Sequence, residues 1–160
     1  MIRQCLSLFF LLLLLVLSGC SYRYDFVVIN ASEGTIAVQY QLKRWTPVSP
    51  GKYVDVEAPA KVSVEEFQKA EYHWRELSRD DYLFDKVTGT FIVNVLPGEV
   101  LLIDHTSNYS GDESQFDLAR IKITGAKGSI EFEGHQAQTQ FKLEGETKFI
   151  IRYKIGRAHV

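Results

Sequence analysis

Residues 35–43 set Ile36, Val38, Tyr40 and Leu42 against Thr35, Ala37, Gln39, Gln41 and Lys43 in strict alternation. Side chains of a strand point to opposite faces with period two, so this run makes one apolar face and one wet face. On a helix the same residues would scatter around the axis and build no continuous face. The signature recurs along the chain. In 22–30, Tyr22, Tyr24, Phe26 and Val28 fall on one side, with Arg23 and Asp25 on the other. Further strands are expected at 82–84, 90–95, 100–105, 118–124, 129–133, 140–143 and 147–153, and a short one at 53–57. Asn30 to Gly34, Lys86 to Gly89, Leu96-Pro97-Gly98-Glu99, Gly125 to Gly128 and Glu144-Gly145-Glu146 supply turn chemistry between them.

Turns this short point to hairpins, first of all 22–30 with 35–43 and 90–95 with 100–105. Residues 107–115 are polar and read as an exposed loop. Many short strands with regular turns predict a mainly β chain. The expected architecture is a two-layer antiparallel β-sandwich, transthyretin- or immunoglobulin-like in broad shape. One amphipathic helix is expected at about 64–78. Ser63 stands at its N-cap with Glu66 three residues on, and Val62 and Phe67 occupy the positions of a hydrophobic staple. Val64, Phe67, Ala70, Trp74 and Leu77 then recur at helical spacing as one stripe. This spacing predicts Trp74 in the core.

The N-terminus is different in kind. Arg3 is followed by a run of Leu, Phe and Val over 6–17, then Ser18, Gly19 and Cys20. The pattern is that of a secretory signal, and the run is shorter than the roughly 20 residues of a membrane span. Leu17-Ser18-Gly19-Cys20 resembles the lipobox of bacterial lipoproteins. The resemblance implies cleavage between Gly19 and Cys20, a diacylglycerol on the Cys20 sulfur and a further acyl chain, such as palmitate, on the new amine. It divides the chain into a signal peptide, 1–19, and one β-rich domain, 20–153. It implies a partner, the membrane, and an address, the bacterial cell envelope. Ser21 in place of an aspartate favours the periplasmic face of the outer membrane in a Gram-negative organism.

Composition bears on what such a domain does. The whole chain carries 18 Lys and Arg against 20 Asp and Glu, net −2, and loss of Arg3 with the signal takes this to −3. No basic patch points to nucleic acid. Cys5 leaves with the signal and Cys20 is taken by lipid, so no thiol remains for a disulfide, a metal or a nucleophile.

His73, His105 and His135 stand alone, without metal-ligand spacing. Asp112, Glu113 and Asp117 form an acidic loop that does not match an EF-hand. Asp104 and His105 are neighbours on a strand and point to opposite faces. No catalytic residue, metal or cofactor is nominated. Trp45, beside Arg44 in a proline-containing loop, is the candidate ligand-stacking residue.

Lys154-Ile155-Gly156-Arg157-Ala158-His159-Val160 breaks the pattern of the preceding strand. It is encodable as AAG ATC GGA AGA GCA CAC GTC and resembles the translation of a sequencing-library adapter. That resemblance implies an artefactual tail at 154–160, with Ile155 to Val160 packing against nothing. The expectation for the whole is a lipid-anchored envelope protein, a non-enzymatic partner-binding or structural module. A lipid-anchored binder of a small molecule or glycan is the alternative, and a hydrolase a more distant one.

Overall fold

The alternating runs become strands, named here in chain order: β1 (Arg23–Asn30), β2 (Ile36–Leu42), β3 (Ala60–Ser63), β4 (Arg75–Glu76), β5 (Tyr82–Asp85), β6 (Thr90–Val95), β7 (Glu99–Ser107), β8 (Leu118–Gly125), β9 (Gly128–Glu133), β10 (Lys142–Glu144), β11 (Lys148–Lys154) and β12 (Arg157–His159). Two short helices accompany them, α1 (Val64–Phe67) and α2 (His135–Thr139). The computed structural model describes residues 22–43, 57–69, 71–111 and 116–154 and the backbone of 157–159. The expected short strand at 53–57 falls almost wholly outside these residues.

The strands form two sheets packed face to face, a β-sandwich. One runs β10-β11-β1-β7-β3-β4, with β12 also beside β11; the other runs β5-β6-β2-β8-β9. The main core lies between them. Phe26 stacks on Phe116 at 4.1 Å and on Phe149 at 4.8 Å, and Tyr40 stacks on Phe91 at 5.0 Å. Val38, Val93, Leu101, Leu118, Ile121, Ile123 and Ile151 are sealed among them.

The first sheet is buried on both faces along β1. Phe26 and Val28 face the second sheet, while Val27 and Ile29 join Val62, Phe67, Val100 and Ile150 in a smaller outer cluster. Residues 25–30 are therefore buried without a break. One partner of β1 is parallel: Asp25 lies opposite Lys148 and Asn30 opposite Tyr153. Its other partner, β7, is antiparallel. A parallel pair covered on both faces follows the usual rule for parallel strands and departs from the all-antiparallel expectation.

Two of the expected hairpins are arches between the sheets. β1 belongs to the first sheet and β2 to the second, and β6 and β7 divide in the same way. Asn30 is the physical reason for the first. It is fully buried, and its amide donates to the carbonyls of Gly34 at 2.9 Å and of Val95 in β6 at 2.8 Å. Its Oδ1 accepts from the Ser32 N–H at 3.0 Å. The turn is thereby pinned to the opposite sheet. The β8–β9 and β10–β11 pairs are hairpins as expected.

The helix expected over 64–78 is a single turn. Ser63 Oγ accepts from the Glu66 N–H at 3.1 Å, as an N-cap should, and Val62 and Phe67 share the outer cluster. The chain then leaves helical geometry after Gln68. Two captures outweigh helix propensity, which is worth only tenths of a kcal/mol per residue. The edge of β3 pairs with β4, Ala60 opposite Glu76, and the Leu77 N–H donates to Pro59 O at 2.8 Å. The Tyr72 and Trp74 side chains are bonded to β1. The expected stripe is split as a result: Trp74 is half-buried beside the outer cluster, and Leu77 lies in the main core.

The tail also departs from expectation. β11 reaches Lys154, and the backbone of Arg157–His159 pairs antiparallel with it, Tyr153 opposite Ala158. β10 matches only residues 148–150 of β11, so the edge at 152–154 is left for β12 to pair with. An open edge accepts an extended chain whatever its side chains are.

Candidate functional site

The outer face of the second sheet is uncovered by any other described element. Register assigns it two rows of side chains across all five strands. One row is Leu83, Ile92, Gln39, Lys122 and Glu131; the next is Asp85, Thr90, Gln41, Arg120 and Glu133. Each row arises because β2, β5, β6, β8 and β9 alternate in phase, their other faces being committed to the core. An open groove of about 660 Å³ runs along these rows from β5 to Arg120.

The ends of the groove are charged and the middle is neutral. Arg120 is bonded to Glu131 and lies 3.2 Å from Glu133, so its charge is answered within the face. Asp85 is held below the ordinary carboxylate range by the Thr88 hydroxyl and the Val87 N–H, and it serves the β5–β6 turn. Gln41 donates to Thr88 O at 2.9 Å. The Gln39 amide, between Ile92 and Lys122, has no hydrogen-bond partner among the described residues and faces solvent. On the β5 side the Arg79 guanidinium stacks 4.9 Å from the Tyr82 ring, and Leu83 is 68% exposed. The chemistry offered is hydrogen bonding from amides and hydroxyls with an apolar strip beside it. The residues lining the groove include no Ser, Cys or His.

A second constellation sits on the outer face of the first sheet. The Asp25 carboxylate is 3% exposed and accepts three hydrogen bonds: Arg23 Nε at 2.8 Å, the Tyr72 hydroxyl at 2.6 Å and Trp74 Nε1 at 3.2 Å. Burial, and then the bond to Asp25, push the Tyr72 phenol well above its ordinary range. Lys148, opposite Asp25 in register, donates to Phe67 O at 2.6 Å and lies 4.4 Å from the Phe67 ring and 4.6 Å from the Tyr72 ring. Burial lowers its pKa, and the Asp25 charge offsets part of that. Every polar group here is engaged, so the cluster is a pin holding residues 64–76 against β1.

The sequence candidates fall as follows. Gly19, Cys20 and Trp45 lie outside the described residues, as do Asp112 and Glu113. His73 and His135 are exposed, and His105 is half-buried. Among the described residues, no group of three His, Cys, Asp or Glu is placed to hold a metal ion. Asp104 does not meet the His105 imidazole; its carboxylate accepts from the backbone N–H groups of His105 at 2.8 Å and Asp117 at 3.0 Å. Tyr109, in the segment read as an exposed polar loop, packs edge-on against Phe26 at 5.3 Å. The outer-face rows were written in the alternation of 35–43, but which strands flank it was not, so Gln39 and Gln41 were not singled out. The Asp25 pin was invisible because Asp25 and Tyr72 are far apart in sequence. Among the described residues no helix is long and apolar enough to cross a membrane. No family model matches the chain, and no curated protein or solved structure matches it.

Proposed function

We propose that the chain is a lipid-anchored protein of the bacterial envelope, a non-enzymatic module that holds a partner at the membrane surface. The observation that carries this reading is Leu17-Ser18-Gly19-Cys20 at the end of an apolar run too short to span a bilayer. One acyl chain binds a membrane only marginally, each buried CH₂ contributing about 0.8 kcal/mol, and lipoprotein-type modification provides several chains. The uncovered outer face of the second sheet is the surface we assign to the partner. A second reading, binding of a glycan or small molecule, draws support from the open Gln39 amide in the groove.

The test is Cys20→Ser in cells fed labelled fatty acid. The expected outcome is loss of label and release from the membrane fraction. A Cys20→Ser protein that still labels and sediments with membranes ends the anchoring reading.

A further inference from the structure

We infer that the domain does not swing on its anchor but is seated with one fixed end against the lipid surface. The inference rests on the anchoring reading and deepens it by naming which face of the molecule meets the membrane.

Cys20 is two residues from Tyr22, so their Cα atoms are separated by at most about 7 Å. Tyr22 is itself clamped. Its N–H donates to Asn108 Oδ1 at 3.1 Å, and its carbonyl accepts from the Asn108 N–H at 2.8 Å. Asn108 has φ 53°, a left-handed conformation that asparagine tolerates better than most residues and that turns both groups towards Tyr22. The next residues are already in the sheet: Arg23 pairs with Ser107, Tyr24 with Thr106, and Asp25 with both His105 and Lys148. Freeing the start of β1 would break bonds on two sides of an interior strand. Only Ser21 therefore stands between the lipid-bearing residue and the clamped start of the fold.

Strand directions then say which end faces the lipid. β1 starts at this end, as does β11, which runs parallel to it, and β7 finishes here. The turn at 145–147, joining β10 to β11, lies here too. In the second sheet, Gln41 near the end of β2 pairs with Thr90, which places the 86–89 turn at the same end. Lys43 N–H donates to Asp117 O at 2.8 Å, and Asp117 N–H to Asp104, tying the two sheets together here. Val87 at this end is 80% exposed. The opposite end carries the turns at 31–35, 96–98 and 126–127, linked by Asn30 to Val95 and by the Gly98 N–H to Asn30 O. At about 3.3 Å per residue, the eight residues of β1 separate the two ends by about 25 Å.

The experiment places one added cysteine at a time in the lipidated protein: Val87→Cys or Glu146→Cys at the near end, Glu33→Cys or Lys127→Cys at the far end. Each carries a fluorophore, in vesicles of phosphatidylethanolamine and phosphatidylglycerol containing a headgroup-attached quencher. Quenching is expected to be several-fold stronger at the near positions. Eight Gly and Ser residues inserted between Ser21 and Tyr22 should bring the near-to-far ratio towards one. Asn108→Gly, which keeps the left-handed backbone but removes the side-chain acceptor, should lower it. Equal quenching at both ends in protein that carries lipid and sediments with the vesicles overturns the seating and leaves the anchor standing. Protein that takes up no lipid at Cys20 overturns both.

Discussion

Two carboxylates on the first sheet, buried Asp25 and half-buried Asp104, have opposite characters. Asp25 is surrounded by donors, and removing it strands the Tyr72 hydroxyl and the Trp74 N–H. Asp25→Ala is expected to cost about 3–5 kcal/mol in urea denaturation, in the range for breaking a buried charged cluster. Arg23 is half exposed and contributes little, so Arg23→Ala should change stability by less than about 1 kcal/mol. Asp104 is raised above its ordinary pKa, first by burial and then by Asp117, against the pull of the His105 and Asp117 N–H groups. Asp117 and His105 are its titratable neighbours, and the Tyr40 phenol, itself driven up by burial, faces it from β2. In the interval just above about pH 4, the ordinary carboxylate value, the folded state holds the Asp104 proton more often than the unfolded state. Stability from this group therefore falls as pH rises through that interval. The urea midpoint should show this decline in the wild type, and Asp104→Asn should lack it. A difference curve between the two that is flat, or that rises with pH, would contradict the assignment. Asp81 and Asp85, both lowered, act in the opposite sense below the same interval, where their stabilisation is lost as pH falls.

At the scale of the element, residues 64–77 show a local signal overruled by its surroundings. The cap at Ser63 and the contact of Val62 with Phe67 start a helix, and the β3 edge and Asp25 stop it after one turn. Phe67 and Trp74, with ring centres 5.8 Å apart, belong to the outer cluster, while Leu77 belongs to the main core. Phe67→Ala should cost about 3–5 kcal/mol. In double-mutant cycles, Phe67→Ala and Trp74→Ala should couple by at least about 0.5 kcal/mol, whereas Phe67→Ala and Leu77→Ala should add within about 0.5 kcal/mol. A continuous helix carrying all three on one stripe would couple Trp74 with Leu77 instead.

Across the whole molecule, the first and last long strands are neighbours. β1 cannot complete its pairing until β11 has been made, so the fold closes on a contact between distant parts of the chain, a feature that slows folding. Deleting residues 148–160 removes Ile150, Ile151 and Tyr153 from the two clusters. Each such loss is worth about 2–5 kcal/mol, against a typical total of about 5–15 kcal/mol. The truncated chain is expected to show no cooperative thermal transition. The same closure makes Gly125 matter: a Cβ there would stand 2.5 Å from the Tyr153 hydroxyl.

Period-two alternation, turn residues and the Ser63 cap were legible from the sequence because each depends on neighbours within a few positions. They placed β2, β5, β6, β8, β9 and β11 within a residue or two, and the mainly β sandwich with them. Alternation also marked Gln39 and Gln41 as outward, since one face of β2 had to be wet. Other features are pairwise choices between segments far apart, and no local pattern encodes the partner. The parallel match of Asp25 with Lys148 is one; the arches at Asn30 and Pro97 and the short helix are others. α2 and the burial of Phe116 and Tyr109 also went unread for this reason. Phe26 looks the same in sequence whether its strand is covered on one face or two. Only packing decided that β1 is covered on both, because the chain after α1 folds back across Val27 and Ile29 and is held there by Asp25.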